Sequence, residues 1–215
     1  MSEIGLRERK RQRMYQAVSD IAVRLFLEKG FDAVSVAEVA AAAEISKPTL
    51  FRYFPAKEDL VLHRIADHED EAARVVTGAG EGVSPLGALR RNFLDGLDRR
   101  DPVTGLNDHP EVLAYHRLLY GTPSLATRMY AHQERSEAAL AEALGGDLAA
   151  RLAAAQIVVV QRVLALENWR RIADGERLED VRQDAVAAAE RAFGLLEKGL
   201  PWLAEESGLG EDERI

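Results

Sequence analysis

The chain of 215 residues contains no cysteine, which excludes disulfides, thiol nucleophiles and cysteine-ligated zinc. Alternating runs of β-branched residues are missing too, while Ala, Leu, Glu and Arg dominate, so an all-α fold is expected. No apolar run reads as long enough for a membrane span, and the charged N-terminus lacks a signal-peptide core. A cytoplasmic protein with no membrane partner is therefore expected. Catalytic patterns are equally scarce. His63, His68, His109, His116 and His132 form no H-E-x-x-H pattern, and no serine nucleophile motif accompanies them. The glycine-rich stretch from Gly78 to Gly82 follows no strand and reads as a loop rather than a phosphate cradle. No metal site, no cofactor and no enzymatic activity are expected.

Charge is present but unevenly divided. The net charge is −8, yet Met1 to Asp59 carries 10 Lys and Arg against 9 Asp and Glu, while the remainder carries 18 against 27. The acidic excess thus belongs to the later part of the chain. An acidic total is no obstacle to nucleic-acid binding, which depends on the local patch. Arg7, Arg9, Lys10, Arg11 and Arg13 form a basic opening segment. It reads equally well as a solubilising tail or as an arm reaching DNA phosphates or a minor groove.

Met14, Val18, Ile21, Ala22, Leu25 and Phe26 recur at helical spacing and predict a first helix ending at Gly30. Ser35 followed by Glu38 is a capping box opening a second helix with Val36, Val39 and Ala40. Ser46 is an N-cap for a third, and Pro48 falls in its first turn, where a missing N–H costs nothing. Only Ala43-Glu44-Ile45 lies between the two, so the pair reads as a helix-turn-helix. Leu50 and Phe54, four apart, are expected to face inward. Lys47, Thr49, Arg52 and Tyr53 are left outside, with Phe51 toward the edge. Arg suits guanine O6 and N7, Lys and Tyr suit phosphates, and Thr offers both a hydroxyl and a methyl. A solvated helix with a few basic residues is the plainer alternative.

The run L-F-L-E-K-G-F-D-A-V-S-V, then E-V-A, then I-S-K-P-T-L-F-R-Y-F-P-A-K-E-D-L, resembles the N-terminal domain of the tetracycline-repressor-like (TetR) family of bacterial transcription regulators. The resemblance covers roughly Arg11 to His68. It implies a three-helix DNA-binding head, residues 1–56, on an all-helical ligand-binding and dimerisation body, residues 57–215. It also implies that Ser35 and Val36 lie near the DNA backbone and that Lys47, Pro48, Thr49 and Arg52 face the groove. Phe51 stands where the family usually has tyrosine, keeping apolar contact without the hydroxyl. Tyr53 and Lys57 match phosphate-contacting positions. Glu44 replaces a usual turn glycine, Ala56 a usual Ser or Asn cap, and Ala37 a base-reading Arg found in some members.

Downstream, Lys57-Glu58-Asp59 is expected to open one long helix reaching about Val76, followed by a glycine-rich break from Thr77 to Pro85. Further helices are predicted over 85–98, 111–120, 123–144, 148–173 and 178–200, with a short irregular segment over 101–110 and a loose polar end over 205–215. By the resemblance, the last two helices form a homodimer, which would bind double-stranded operator DNA and answer to an unidentified small-molecule effector. Effector candidates are His63, Phe93, His116, Tyr120, Asn168 and Trp169, polar or aromatic residues interleaved with apolar faces. Ordinary core packing explains any one of them equally well. A ligand-responsive repressor is the first reading. An activator or dual regulator of the same fold is the alternative, with a helical small-molecule-binding protein or an enzyme outside the regulatory class.

Overall fold

The computed structural model describes residues 3–66 and 68–205, without the side chains of residues 3–8 and Lys10. No strand occurs among the described residues. The helices are α1 (Glu3–Lys29), α2 (Val36–Ala42), α3 (Lys47–Tyr53), α4 (Asp59–Ala66), α5 (Glu71–Thr77) and α6 (Pro85–Asp98). A 3-10 turn, η1 (Pro102–Thr104), precedes α7 (Pro110–Gly121), α8 (Pro123–Ala143), α9 (Leu148–Ala173), α10 (Leu178–Gly199) and α11 (Pro201–Ala204). Two compact units result, Met1–Asp67 with Ala114–His132, and His68–Leu113 with Gln133–Ile215. Residues 206–215, most of the expected loose end, lie outside the described residues.

In the first unit, α1 packs along α4, and α2 and α3 close over them. Val18, Ala22, Phe26, Val39, Leu50, Phe54 and Leu60 form its buried centre, joined by Tyr115, Leu119 and Leu125 from the later chain segment. Each helix starts where its cap places it. The Ser35 hydroxyl accepts the Glu38 amide at 3.1 Å, and the Ser46 hydroxyl accepts the Thr49 amide at 3.2 Å. The basic opening segment is not a tail ahead of α1 but part of it. Arg, Lys, Glu and Gln are strong helix formers and carry the helix back to Glu3. The side chains of Arg7 and Lys10 lie outside the description.

The long helix expected from Lys57 to Val76 does not exist as one piece. It opens at Asp59 and stops at Ala66, and His68–Asp70 form a turn before α5 resumes. The sequence D-H-E-D-E at 67–71 concentrates carboxylates at a helix C-terminus, where the macrodipole disfavours them, and at the start of the next, where it favours them. Within the second unit Glu69 turns outward to a bidentate pair with Arg135, both contacts at 2.8 Å. Glu71 takes His68 Nδ1 at 2.6 Å.

The second unit is a helical bundle in which α10 lies along α6 and α9. Leu89, Phe93, Leu97, Ala153, Ile157, Val181 and Phe193 fill its core. The η1 turn is seated against α9 by a close approach of backbones. Gly105 has φ of 73°, and a Cβ there would come 1.9 Å from the Ala165 carbonyl oxygen. The face of α9 that packs inward is its small one, with Ala150, Ala153 and Ala154 buried beside Ile157. Leu148, Leu152, Val159 and Val163 of the same helix are exposed.

The expectation that no apolar run is long enough for a membrane span bears on α9. By length and composition it is a helix long and apolar enough to cross a membrane. Arg151 and Arg162 interrupt the run, leaving only Leu152 to Gln161 free of charge, about half the span a bilayer core requires.

Candidate nucleic-acid interface

The second helix of the helix-turn-helix, α3, is held from behind and open in front. Leu50 and Phe54 are buried in the first unit, and Phe54 ends the helix with its amide on the Leu50 carbonyl. Lys47, Pro48, Phe51 and Arg52 are exposed, Phe51 by 40 %, and Thr49 and Tyr53 are half-buried at the two edges. The ammonium of Lys47 lies 5.8 Å from the centre of the Phe51 ring, and the Arg52 guanidinium lies 5.3 Å from that of Tyr53. Both cations are thus oriented by an aromatic neighbour while remaining at the surface. The Thr49 hydroxyl shares a 2.8 Å hydrogen bond with that of Ser46, so part of its hydrogen-bonding capacity serves the cap.

The turn between α2 and α3 pivots on Glu44, which has φ of 54°. Ser35 and Val36 stand at the exposed start of α2. There the Glu38 carboxyl is held below its usual range by Lys29 Nζ at 2.5 Å, with the Ser35 amide assisting. Lys57 sits in the turn before α4. Its Nζ donates to the Phe31 carbonyl at 2.5 Å and lies 4.3 Å from the centre of the Phe31 ring. This tether fixes where the charge stands, and two of the three ammonium protons remain for other acceptors.

Spacing had no means of finding several residues that shape this face. Tyr15 packs edge-on to Tyr53 at 5.0 Å and to Phe54 at 5.2 Å, buttressing α3 from α1. The Ala56 amide, at the position of the missing cap, is taken by Asp59 Oδ2 at 2.8 Å. Asp59 in turn holds Arg128, 69 residues away. Such a separation leaves no local pattern to read.

The effector candidates separate into two groups. In the first unit, His63 stacks on Tyr15 at 5.3 Å and packs edge-on to Phe54, which places it in the aromatic buttress of α3. His116 and Tyr120 share one face of α7, their rings 5.9 Å apart, and burial pushes the His116 imidazole down to about 4. In the second unit, Phe93 is core, packed 6.1 Å from Phe193. Asn168 is buried and donates to the Thr104 carbonyl at 2.9 Å, fastening η1 to α9. Trp169 is half-buried beside it, with its backbone against Gly105.

A helix-turn-helix whose second helix is backed by a small helical core and shows cationic side chains in front defines a DNA-binding regulator. The sequence profile of bacterial regulatory proteins of the tetR family matches residues 19–63, which span α2, α3 and part of the helices on either side. The HTH-type transcriptional regulator TcmR of Streptomyces glaucescens is 33 % identical over 178 residues, covering 78 % of each chain. The chain belongs to the tetR family of transcriptional regulators. Solved structures share the fold at lower identity. A TetR-family regulator of Streptomyces coelicolor has a TM-score of 0.57 at 22 % identity, over 87 % of this chain and 95 % of that one. NalD of Pseudomonas aeruginosa, the secondary repressor of the MexAB-OprM multidrug efflux pump, has a TM-score of 0.56 at 19 % identity, over 85 % and 96 %.

Proposed function

We infer that this regulator is a repressor that binds an imperfect palindrome as a homodimer and releases it when a small molecule binds. The observation that carries the reading is the division of labour on α3: Leu50 and Phe54 are committed to the core, while Lys47, Phe51 and Arg52 are left at the surface. In this reading Arg52 reads a base, Lys47, Pro48, Thr49 and Phe51 line the groove, and Ser35, Val36, Tyr53 and Lys57 hold the backbone. Pairing of two chains is supported by the outward face of α9, where Leu148, Leu152 and Val163 are 68 %, 57 % and 52 % exposed. Leu195 on α10 is 69 % exposed. A single head also offers few contacts for operator-level affinity. Repression agrees with the role of NalD as a secondary repressor, and such a protein works in the cytoplasm, where the chromosome is.

For the effector, His116 and Tyr120 are the best supported of the candidates, since both lie on one face of α7 and neutral imidazole accepts as well as donates. His63 and Phe93 have packing roles and Asn168 a hydrogen-bonding one.

Selection of binding sites from random duplex DNA tests the reading. Two inverted half-sites roughly one helical turn apart, ~34–36 Å between centres, bound by two chains, are expected. Recovery of single unrepeated sites bound by one chain contradicts it.

A further inference from the structure

We propose that Arg128 on α8 is a positioning residue for the recognition helix, acting through Asp59. This rests on the reading of α3 as the DNA-reading element and adds to it the contact that sets its placement.

The argument starts at the end of α3. Only Phe54 to Glu58 separate it from α4, so the angle at which α3 is presented depends on how this link is fastened. Phe54 is buried and fixes one end. The other end is fixed by Asp59, whose Oδ2 accepts the Ala56 amide at 2.8 Å. That same Oδ2 accepts Arg128 Nη2 at 3.1 Å, and Oδ1 accepts Arg128 Nε at 2.7 Å. A carboxylate gripped at both oxygens by a planar guanidinium has its orientation set by it. The link's amide is therefore aimed at an acceptor that α8 holds in place.

The rest of α4 is braced in a different manner. Ser19 Oγ donates to the Leu60 carbonyl at 2.7 Å and Tyr115 Oη to the Val61 carbonyl at 2.9 Å, both holding helix backbone. Within the link, Lys57 is tied by its side chain to the Phe31 carbonyl, and the Asp59 contact holds the link's backbone at Ala56. The helix α4 ends at Ala66 and does not continue into α5. By contrast α8 is continuous, beginning at Pro123 beside Leu125 in the first unit's core and running on to Ala143.

The pair is part-exposed, with Arg128 at 44 % and Asp59 at 23 %, so it adds little to global stability. Its effect belongs instead to discrimination, because a misaimed α3 still meets phosphates but no longer meets base edges in register.

The test uses the full chain, the duplex recovered by site selection and a random duplex of equal length. Arg128→Ala is expected to lower the ratio of operator to random affinity by roughly fivefold. Random-duplex affinity, its salt slope and the urea midpoint should stay near wild type. Arg128→Lys, which keeps the charge but loses the fork, is expected to fall between. Asp59→Asn keeps an oxygen for the Ala56 amide but loses the pair, so Arg128→Ala added to it should change the ratio little further. An unchanged ratio in Arg128→Ala overturns the proposal. So do equal losses on both duplexes with a salt slope reduced by about one, which would make Arg128 a phosphate contact. Loss of folding in Arg128→Ala alongside an Arg128→Lys ratio equal to wild type overturns it as well. A wild-type chain that retards no duplex removes the DNA-binding reading itself, whereas wild-type binding with an unchanged variant ratio removes only the role of Arg128.

Discussion

Two side chains show how differently a single residue can matter in this chain. Arg52 is exposed, and its guanidinium is oriented over Tyr53, so nothing in the fold depends on it. Arg52→Ala should leave stability unchanged while weakening the preferred duplex by about 1–3 kcal/mol and relaxing preference at one base position. Binding measured on operator variants checks this, and equal losses on every sequence would make Arg52 a phosphate contact. His116 is the converse case, buried and held neutral because burial pushes its imidazole down to about 4. The unfolded chain releases it to the ordinary value near 6.5, so it takes up a proton that the folded chain refuses. The contribution is intact above about 6.5 and is lost progressively as pH falls toward 4. Between pH 7 and pH 5 the loss is about 2 kcal/mol. Urea unfolding of wild type and His116→Gln at those two pH values should show the wild type falling further by that amount. Equal falls would clear the imidazole of responsibility.

At the scale of elements, the helix-turn-helix turn carries a strain that the sequence itself announces. Glu44 stands in the left-handed region with φ of 54° and is exposed. Glu44→Gly should raise unfolding stability by about 0.5–1 kcal/mol, the left-handed penalty less the extra freedom glycine gains in the unfolded chain. A urea midpoint that stays level or drops would show that the carboxylate does something the backbone conformation does not. Elements of this kind were legible because their signals are local: Ser35 and Ser46 at the caps, Leu50 and Phe54 at one helical spacing. The break between α4 and α5 was not. Val61, Ile65, Ala72 and Val76 keep a helical interval straight across it, so the apolar pattern predicts continuity while the run of carboxylates ends the helix. Nor was the inward face of α9 legible. Hydrophobicity ranks its leucines and valines above its alanines, yet Ala150, Ala153 and Ala154 are buried while Leu148, Leu152, Val159 and Val163 are exposed. Asn168 was left between two readings for a similar reason. A polar residue amid apolar ones fits a ligand anchor as well as a partner for the Thr104 carbonyl, and only the fold distinguishes them.

For the whole molecule, the outward stripe on α9 decides whether one chain can do the proposed work. Leu148, Leu152, Val159 and Val163 recur at helical spacing and stay exposed on a helix whose other face is already satisfied. In a two-fold pairing the same residues from both chains meet, so one substitution enters the interface twice. Leu152→Asp would bury two carboxylates without partners, each costing several kcal/mol, far more than a part-exposed leucine contributes to the single chain. The variant is therefore expected to sediment as a monomer with an unfolding midpoint set by the intact single-chain core. Its heads keep α3 and its side chains, so affinity for an isolated half-site should match wild type. On the paired operator, however, the second head no longer binds as a tethered group, and the advantage of linkage, roughly 10²–10⁴ in affinity, disappears. Sedimentation and binding to one-half-site and two-half-site duplexes measure these together. A Leu152→Asp chain that remains dimeric would place the pairing surface elsewhere. A monomeric variant with undiminished affinity for the paired operator would mean that the heads do not act in concert.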